Sequence, residues 1–129
     1  MDLNKLFQSA DWKKEKHVPV INFVGECKKG EKLNLKLHVG KEISHPNTTE
    51  HHIAWIKALF FPTGEKYPYE IGKVEFNAHG ASTNGPNTSS IYCEPEVSFT
   101  FKTEKPGTII AFSYCNIHGL WQNTFELKL

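Results

Sequence analysis

The chain contains no arginine: all fifteen basic residues are lysine, set against fourteen acidic ones for a formal net charge of +1. A nucleic-acid interface normally combines a basic excess with guanidinium forks on phosphate and guanine, so the composition argues against that class. Near-neutrality argues equally against a basic face held on an anionic membrane. No apolar run approaches the ~20 residues that a membrane-spanning helix requires. Methionine occurs once, at Met1, and cysteine three times, at Cys27, Cys93 and Cys115. An odd number of thiols does not make a disulfide framework and suggests free thiols or a metal ligand. The opening residues MDLNKLFQSADWKKEK lack the basic patch and apolar stretch of a secretory signal, which predicts a cytoplasmic protein.

Against these absences stands an apolar fraction of 39% in 129 residues, enough for one domain with its own core, spanning 1–129. Leu3, Leu6, Phe7 and Ala10 recur at helical spacing behind Asp2, which predicts a short helix within an N-terminal arm over 1–12. After it the period changes to two. Leu33, Leu35, Leu37 and Val39 alternate with polar residues, as do Val97, Phe99 and Phe101, and then Phe125, Leu127 and Leu129. Further strand-like runs fall at 18–24, 52–61, 71–78 and 107–114, separated by turn signals such as Pro62-Thr63-Gly64 and Pro106-Gly107. The pattern predicts an all-β antiparallel sandwich of about seven strands. An up-and-down barrel is the alternative, but the long segments 40–51 and 79–90 favour connections that cross between sheets.

Histidine is the compositional outlier, with seven residues. Cys115-Asn116-Ile117-His118 ends a strand-like run just before Gly119. A chain reversal between Cys115 and His118 lets a soft thiolate and a borderline imidazole face one metal. His45-Pro46-Asn47-Thr48-Thr49-Glu50-His51-His52 is a polar loop that carries histidines on both sides of a turn. His17, in Glu15-Lys16-His17, enters the first strand. All these segments fall at strand ends, where a sandwich gathers its loops. His38 lies opposite the leucines of its strand and reads as exposed. His79 reads as structural or as a ligand, Cys27 as a surface thiol and Cys93 as a packing residue.

The segments EKHVPVI (15–21), HPNTTEHHI (45–53), VEFNAHG (74–80), NGPNT (84–88) and SYCNIHGLW (113–121) resemble those of the superoxide reductases. The likeness is to the one-iron class, the neelaredoxins. Their two-iron relatives, the desulfoferrodoxins, carry an extra cysteine-rich N-terminal domain, and no cysteine precedes Cys27 here. The resemblance implies an immunoglobulin-like sandwich with one iron ion per chain, bound by four histidines and an axial cysteine. By motif these are His17, His45, His51, His118 and Cys115. It prefers His51 to His52, a choice that spacing alone leaves open. It further implies that Glu15 is a sixth ligand in the oxidised state and that Lys16 is the cation beside the open position. The implied reaction is one-electron reduction of superoxide to hydrogen peroxide, with a rubredoxin-type electron donor and a homotetrameric assembly.

Two other metal chemistries compete for these residues. A blue-copper electron carrier is also a β-sandwich with a Cys-x-x-His turn and an upstream histidine. Its usual axial methionine is missing, although Gln122 stands in a position to replace it. Copper would also leave two histidines without a role. Structural zinc prefers four donors in a closed shell, and five candidates overfill it.

Overall fold

The computed structural model describes all 129 residues. Its elements in chain order are α1 (Leu3–Leu6), β1 (Pro19–Val24), β2 (Leu33–Val39), β3 (Ile53–Pro62), β4 (Tyr69–Glu75), β5 (Glu96–Phe101), β6 (Gly107–Cys115) and β7 (Gly119–Leu127). They form an antiparallel sandwich of two sheets, β1-β2-β5 and β4-β3-β6-β7. The two long segments do cross between sheets, one joining β2 to β3 and the other β4 to β5. No helix is long and apolar enough to cross a membrane.

Alternation along the strands builds the core. Leu33, Leu35, Leu37 and Val39 point inward from β2 and meet Ile56, Ala58 and Phe60 of β3 and Ile109 and Ala111 of β6, all of them buried. The opposite face of β3 and β6 is largely apolar, with Lys57 and Thr108 its polar members. Trp55, Leu59, Phe61, Ile110, Phe112 and Tyr114 lie there half-buried or exposed, with Trp55 stacked on Tyr114.

Four expectations need correction. The helix covers only Leu3–Leu6, because two turns are too short to persist without packing. Phe7 instead packs edge-on against Phe112, and Gln8 exchanges backbone bonds with Leu120 and Gln122, so the arm runs on in extended form beside β7. The last strand starts at Gly119 rather than near Phe125, since it is the return arm of a hairpin whose bend is the Cys-x-x-His turn. Cys27 is not a surface thiol: it is partly buried and packs on the core. His38 does face away from the leucines but is half-buried.

Antiparallel pairing puts every histidine-bearing loop at one pole. The start of β1 pairs with the end of β2 (Pro19 with Val39), the start of β3 with the end of β6 (Ile53 with Cys115), and the end of β6 with the start of β7 (Cys115 with Gly119). Two bonds tie the sheets together there: Ser113 Oγ donates to the His17 carbonyl at 2.8 Å, and Asn123 Nδ2 donates to the Pro19 carbonyl at 2.9 Å.

Candidate metal centre

Cys115 is the last residue of β6 and fully buried. Gly119 has φ +77°, a left-handed conformation that closes the tight turn and returns the chain into β7. This reversal brings His118 back over the sulfur. Its backbone N–H donates to Sγ at 3.3 Å, and its Nδ1 lies 3.7 Å from Sγ. From the start of β1 comes His17, 5% exposed, stacked on Trp121 and with its Nε2 3.1 Å from Nδ1 of His118. His17 Nδ1–H donates to the Glu15 carboxylate, which also accepts the backbone N–H groups of His17 and Val18. That bond turns the ring so that its Nε2 lone pair faces the centre.

The loop after β2 supplies the other two rings. Gly40, at φ +84°, lets the chain pass so closely that a Cβ there would lie 2.7 Å from the His45 backbone nitrogen. His45 Nδ1–H donates to the Pro46 carbonyl at 2.6 Å, leaving Nε2 buried with no hydrogen-bond partner. His51 Nε2 is buried and unpartnered in the same way. Its neighbour His52 turns away and stacks on His79, with centroids 3.5 Å apart.

The four rings close a cycle. Centroids are 4.7 Å apart for His17 and His45, 4.9 Å for His45 and His51, 5.0 Å for His51 and His118, and 4.8 Å for His118 and His17. Ligand atoms of His17, His45, His51 and Cys115 all lie within 4.8 Å of one another. Donors that share a first-row metal at about 2.0–2.3 Å must sit within roughly that span. Two orphaned buried imidazole nitrogens are costly unless something accepts their lone pairs, and a metal ion does so. The clustered set, three nitrogens and one sulfur, therefore fits one borderline metal; His118 closes the ring of imidazoles beside it without belonging to that cluster. With His118 counted as a fifth donor, tetrahedral zinc would leave one over, and a copper site with one cysteine and two histidines would leave two of the four rings idle.

Burial disfavours the charged form of two of the rings, His45 and His51. Burial lowers the His45 pKa to about 4; the bond to the Pro46 carbonyl opposes this, and the positive charges of His17, His51 and Lys16 add to it. His51 is lowered too, by burial first and then by the charges of His118, His17 and Lys16. Burial alone would push the Glu15 carboxyl up, but its bonds with His17 bring it below the usual carboxylate range. In the metal-free chain the folded state therefore takes up fewer protons at His45 than the unfolded state does. Stability should be complete above pH ~6.5 and fall as pH drops from there towards 4, by up to about 1.4 kcal/mol per pH unit for this residue. Denaturant midpoints of the metal-free chain between pH 7.5 and 4 test this; a flat profile would show that burial does not hold the ring neutral.

Of the remaining expected residues, Glu15 lies on His17 rather than among the clustered donors. Lys16 is half-buried, and its charge acts on both His45 and His51. The N–H of His118 bonds the sulfur, and no corresponding bond comes from Ile117. His79 is buried outside the cluster, bonded to the Phe76 carbonyl and facing Asn47.

Comparison with known proteins gives a consistent picture. The family profile described as Desulfoferrodoxin matches residues 9–124. The chain is 55% identical over 126 residues to the superoxide reductase of Pyrococcus furiosus, covering 98% of this chain and 99% of that one. It is 47% identical over 129 residues to neelaredoxin from Megalodesulfovibrio gigas, covering 100% and 99%. Among solved structures, the reduced superoxide reductase (neelaredoxin) of Archaeoglobus fulgidus superposes with a TM-score of 0.91 at 60% identity, covering 96% of this chain and 99% of that one.

Proposed function

The chain belongs to the desulfoferrodoxin family, and on that premise we propose how its residues carry out the chemistry of a superoxide reductase. It is an oxidoreductase that reduces superoxide to hydrogen peroxide, with one iron ion per chain. The observation that carries the reading is the closed cycle of four imidazoles, two of them with orphaned buried Nε2 atoms, beside a buried cysteine. His17, His45, His51, His118 and Cys115 are the ligands we propose. Iron held there would supply the single electron that superoxide takes up.

The protein's part is charge, orientation and access. Neutral imidazoles present no ring of carboxylates to repel an anion. The Cys115 thiolate donates electron density that favours the oxidised metal, and the His118 N–H on the sulfur moderates that donation. Glu15 orients His17 from behind. To serve as a sixth ligand after oxidation it would have to exchange its bonds to His17 and Val18, which makes that role conditional on movement of the 13–17 turn. Superoxide takes one electron and two protons to become hydrogen peroxide, and the electron must be replaced for each turnover.

Lys16 draws the anion in. Its ammonium, whose charge is felt by both His45 and His51, should raise the association rate by roughly 10–10³-fold, an effect that salt screens. The test is the second-order rate of superoxide loss with iron-loaded protein across ionic strength. Wild type should slow as salt rises. Lys16→Ala should be at least about 10-fold slower at low salt and nearly insensitive to salt. Equal rates for both proteins at low ionic strength would remove Lys16 from this role, and no reaction with either would remove the activity.

We place the electron donor, a small rubredoxin-type protein, at His118. Unlike buried His17 and His45, His118 is exposed, and the neighbouring Ile117 is 58% exposed. A homotetramer is supported by the apolar outer face of β3 and β6, which an isolated sandwich would leave wet. Cytoplasmic residence accords with three unpaired thiols.

A further inference from the structure

We propose that His79 is a positioning residue for the metal centre, holding the loop between His45 and His51 from behind so that both ligands present Nε2 to the ion. The inference rests on reading His45 and His51 as ligands. Five residues without regular secondary structure separate the two, and neither Nε2 has a hydrogen-bond partner. Thr48 and His51 bond each other within the loop, Asn116 holds one flank through the Glu50 carbonyl and the His52 N–H, and the 76–93 connection holds the other.

His79 touches the loop after His45 and on both sides of His51. Its Nδ1 lies 3.3 Å from Asn47 Oδ1, two residues after His45. Its carbonyl accepts Thr49 Oγ1–H at 2.7 Å, two residues before His51. Its ring lies flat on His52, the residue after His51, with an interplanar angle of 5°. Asn47 is itself oriented, because its Nδ2 donates to the Cys93 carbonyl at 2.9 Å; with the His79 N–H on Nε2, the Asn47 Oδ1 meets the ring as a packing contact and not as a hydrogen bond.

The clamp is anchored to the sandwich. His79 Nε2–H donates to the Phe76 carbonyl at 2.7 Å, and the Phe76 N–H donates to the Ala54 carbonyl, beside the start of β3, at 2.8 Å. His79 pairs with Tyr92 in an isolated bridge, flanked by Cys93 N–H to the Ala78 carbonyl and Gly80 N–H to the Ile91 carbonyl. Asn87, in the left-handed region at φ 56°, closes the outer side by accepting the Thr49 N–H at 2.8 Å and donating to the Glu50 carboxylate. The 76–93 connection thus grips the ligand loop from two directions, and His79 is the only part of the grip with a ring against it.

The experiment compares holoproteins of wild type, His79→Ala, His79→Phe and Leu127→Ala. The readouts are the rate of iron release to an added chelator and the visible spectrum of the oxidised centre. His79→Ala should release iron about 10–100-fold faster and shift the spectrum, as expected when a group supporting a metal ligand is lost. His79→Phe keeps a flat ring for His52 but no N–H, and should fall in between. If the alanine chain does not fold, the phenylalanine variant carries the test on the same readouts. Leu127 is buried at the far pole, paired with Gly107, and its truncation lowers general stability without touching the loop. Wild-type release rates in both His79 variants, or equal acceleration by Leu127→Ala, would overturn the proposal while leaving the ligand set intact. A wild-type chain that takes up no iron would overturn the ligand reading and the clamp with it.

Discussion

Replacing Cys115 with serine should abolish the thiolate-to-metal absorption of the oxidised protein and cut the rate with superoxide by more than about 100-fold, while the sandwich stays folded. Residues that merely support a ligand typically cost about 10–100-fold, and Cys115 is placed to be the ligand itself. Its side chain is fully buried and receives the His118 N–H at 3.3 Å. A serine hydroxyl fits the same space and can still accept that bond, so the fold has little reason to fail. What changes is chemical: a hydroxyl does not ionise near neutral pH and is a hard, weak donor. Visible spectra of the oxidised variant and rapid-mixing kinetics check this, with circular dichroism as the folding control. If colour and rate both survive, the sulfur is not a ligand.

Removing the iron should lower the thermal midpoint by more than about 10 °C. Without an ion, four imidazoles face one another across centroid distances of 4.7–5.0 Å, and the Nε2 atoms of His45 and His51 have no hydrogen-bond partner. A ligand present at about 1,000 times its dissociation constant stabilises the folded state by about 4 kcal/mol. For a chain of this size each kcal/mol moves the midpoint by roughly 3–5 °C. Scanning calorimetry on iron-loaded and chelator-stripped protein measures the difference, and restoring iron should reverse it. An unchanged midpoint after complete removal would mean that the histidines hold nothing.

Much of the architecture is legible in side-chain alternation. Leu33–Val39 reads as a strand and is one over the same residues, because every second position must be apolar when one face of a sheet is buried. The first half of β7 is hidden for the opposite reason. In Gly119–Thr124 the inward positions are Trp121 and Asn123, and Asn123 spends its side chain on the Pro19 carbonyl, so the apolar rhythm is broken by an inter-sheet bond. The arm misleads as well: helical spacing at Leu3, Leu6 and Phe7 is real, but Phe7 finds a better partner in Phe112. Cys27 looks like a loop thiol because nothing local shows that the hairpin folds over the core.

The sequence by itself determined the chemistry on offer: which residue types can bind a metal, that they occupy loops at strand ends, and that neither a charged face nor an apolar span competes with them. Those properties follow from side-chain identity and spacing along the chain. The tertiary structure alone decided the rest. It stacked His52 on His79, drew Glu15 onto His17, and gathered four rings separated by up to 101 residues into one cycle. The physical reason is that a ligand set is a matter of direction and distance in space, and those are set by strand register, left-handed turns at Gly40 and Gly119, and hydrogen bonds between segments that the sequence keeps far apart.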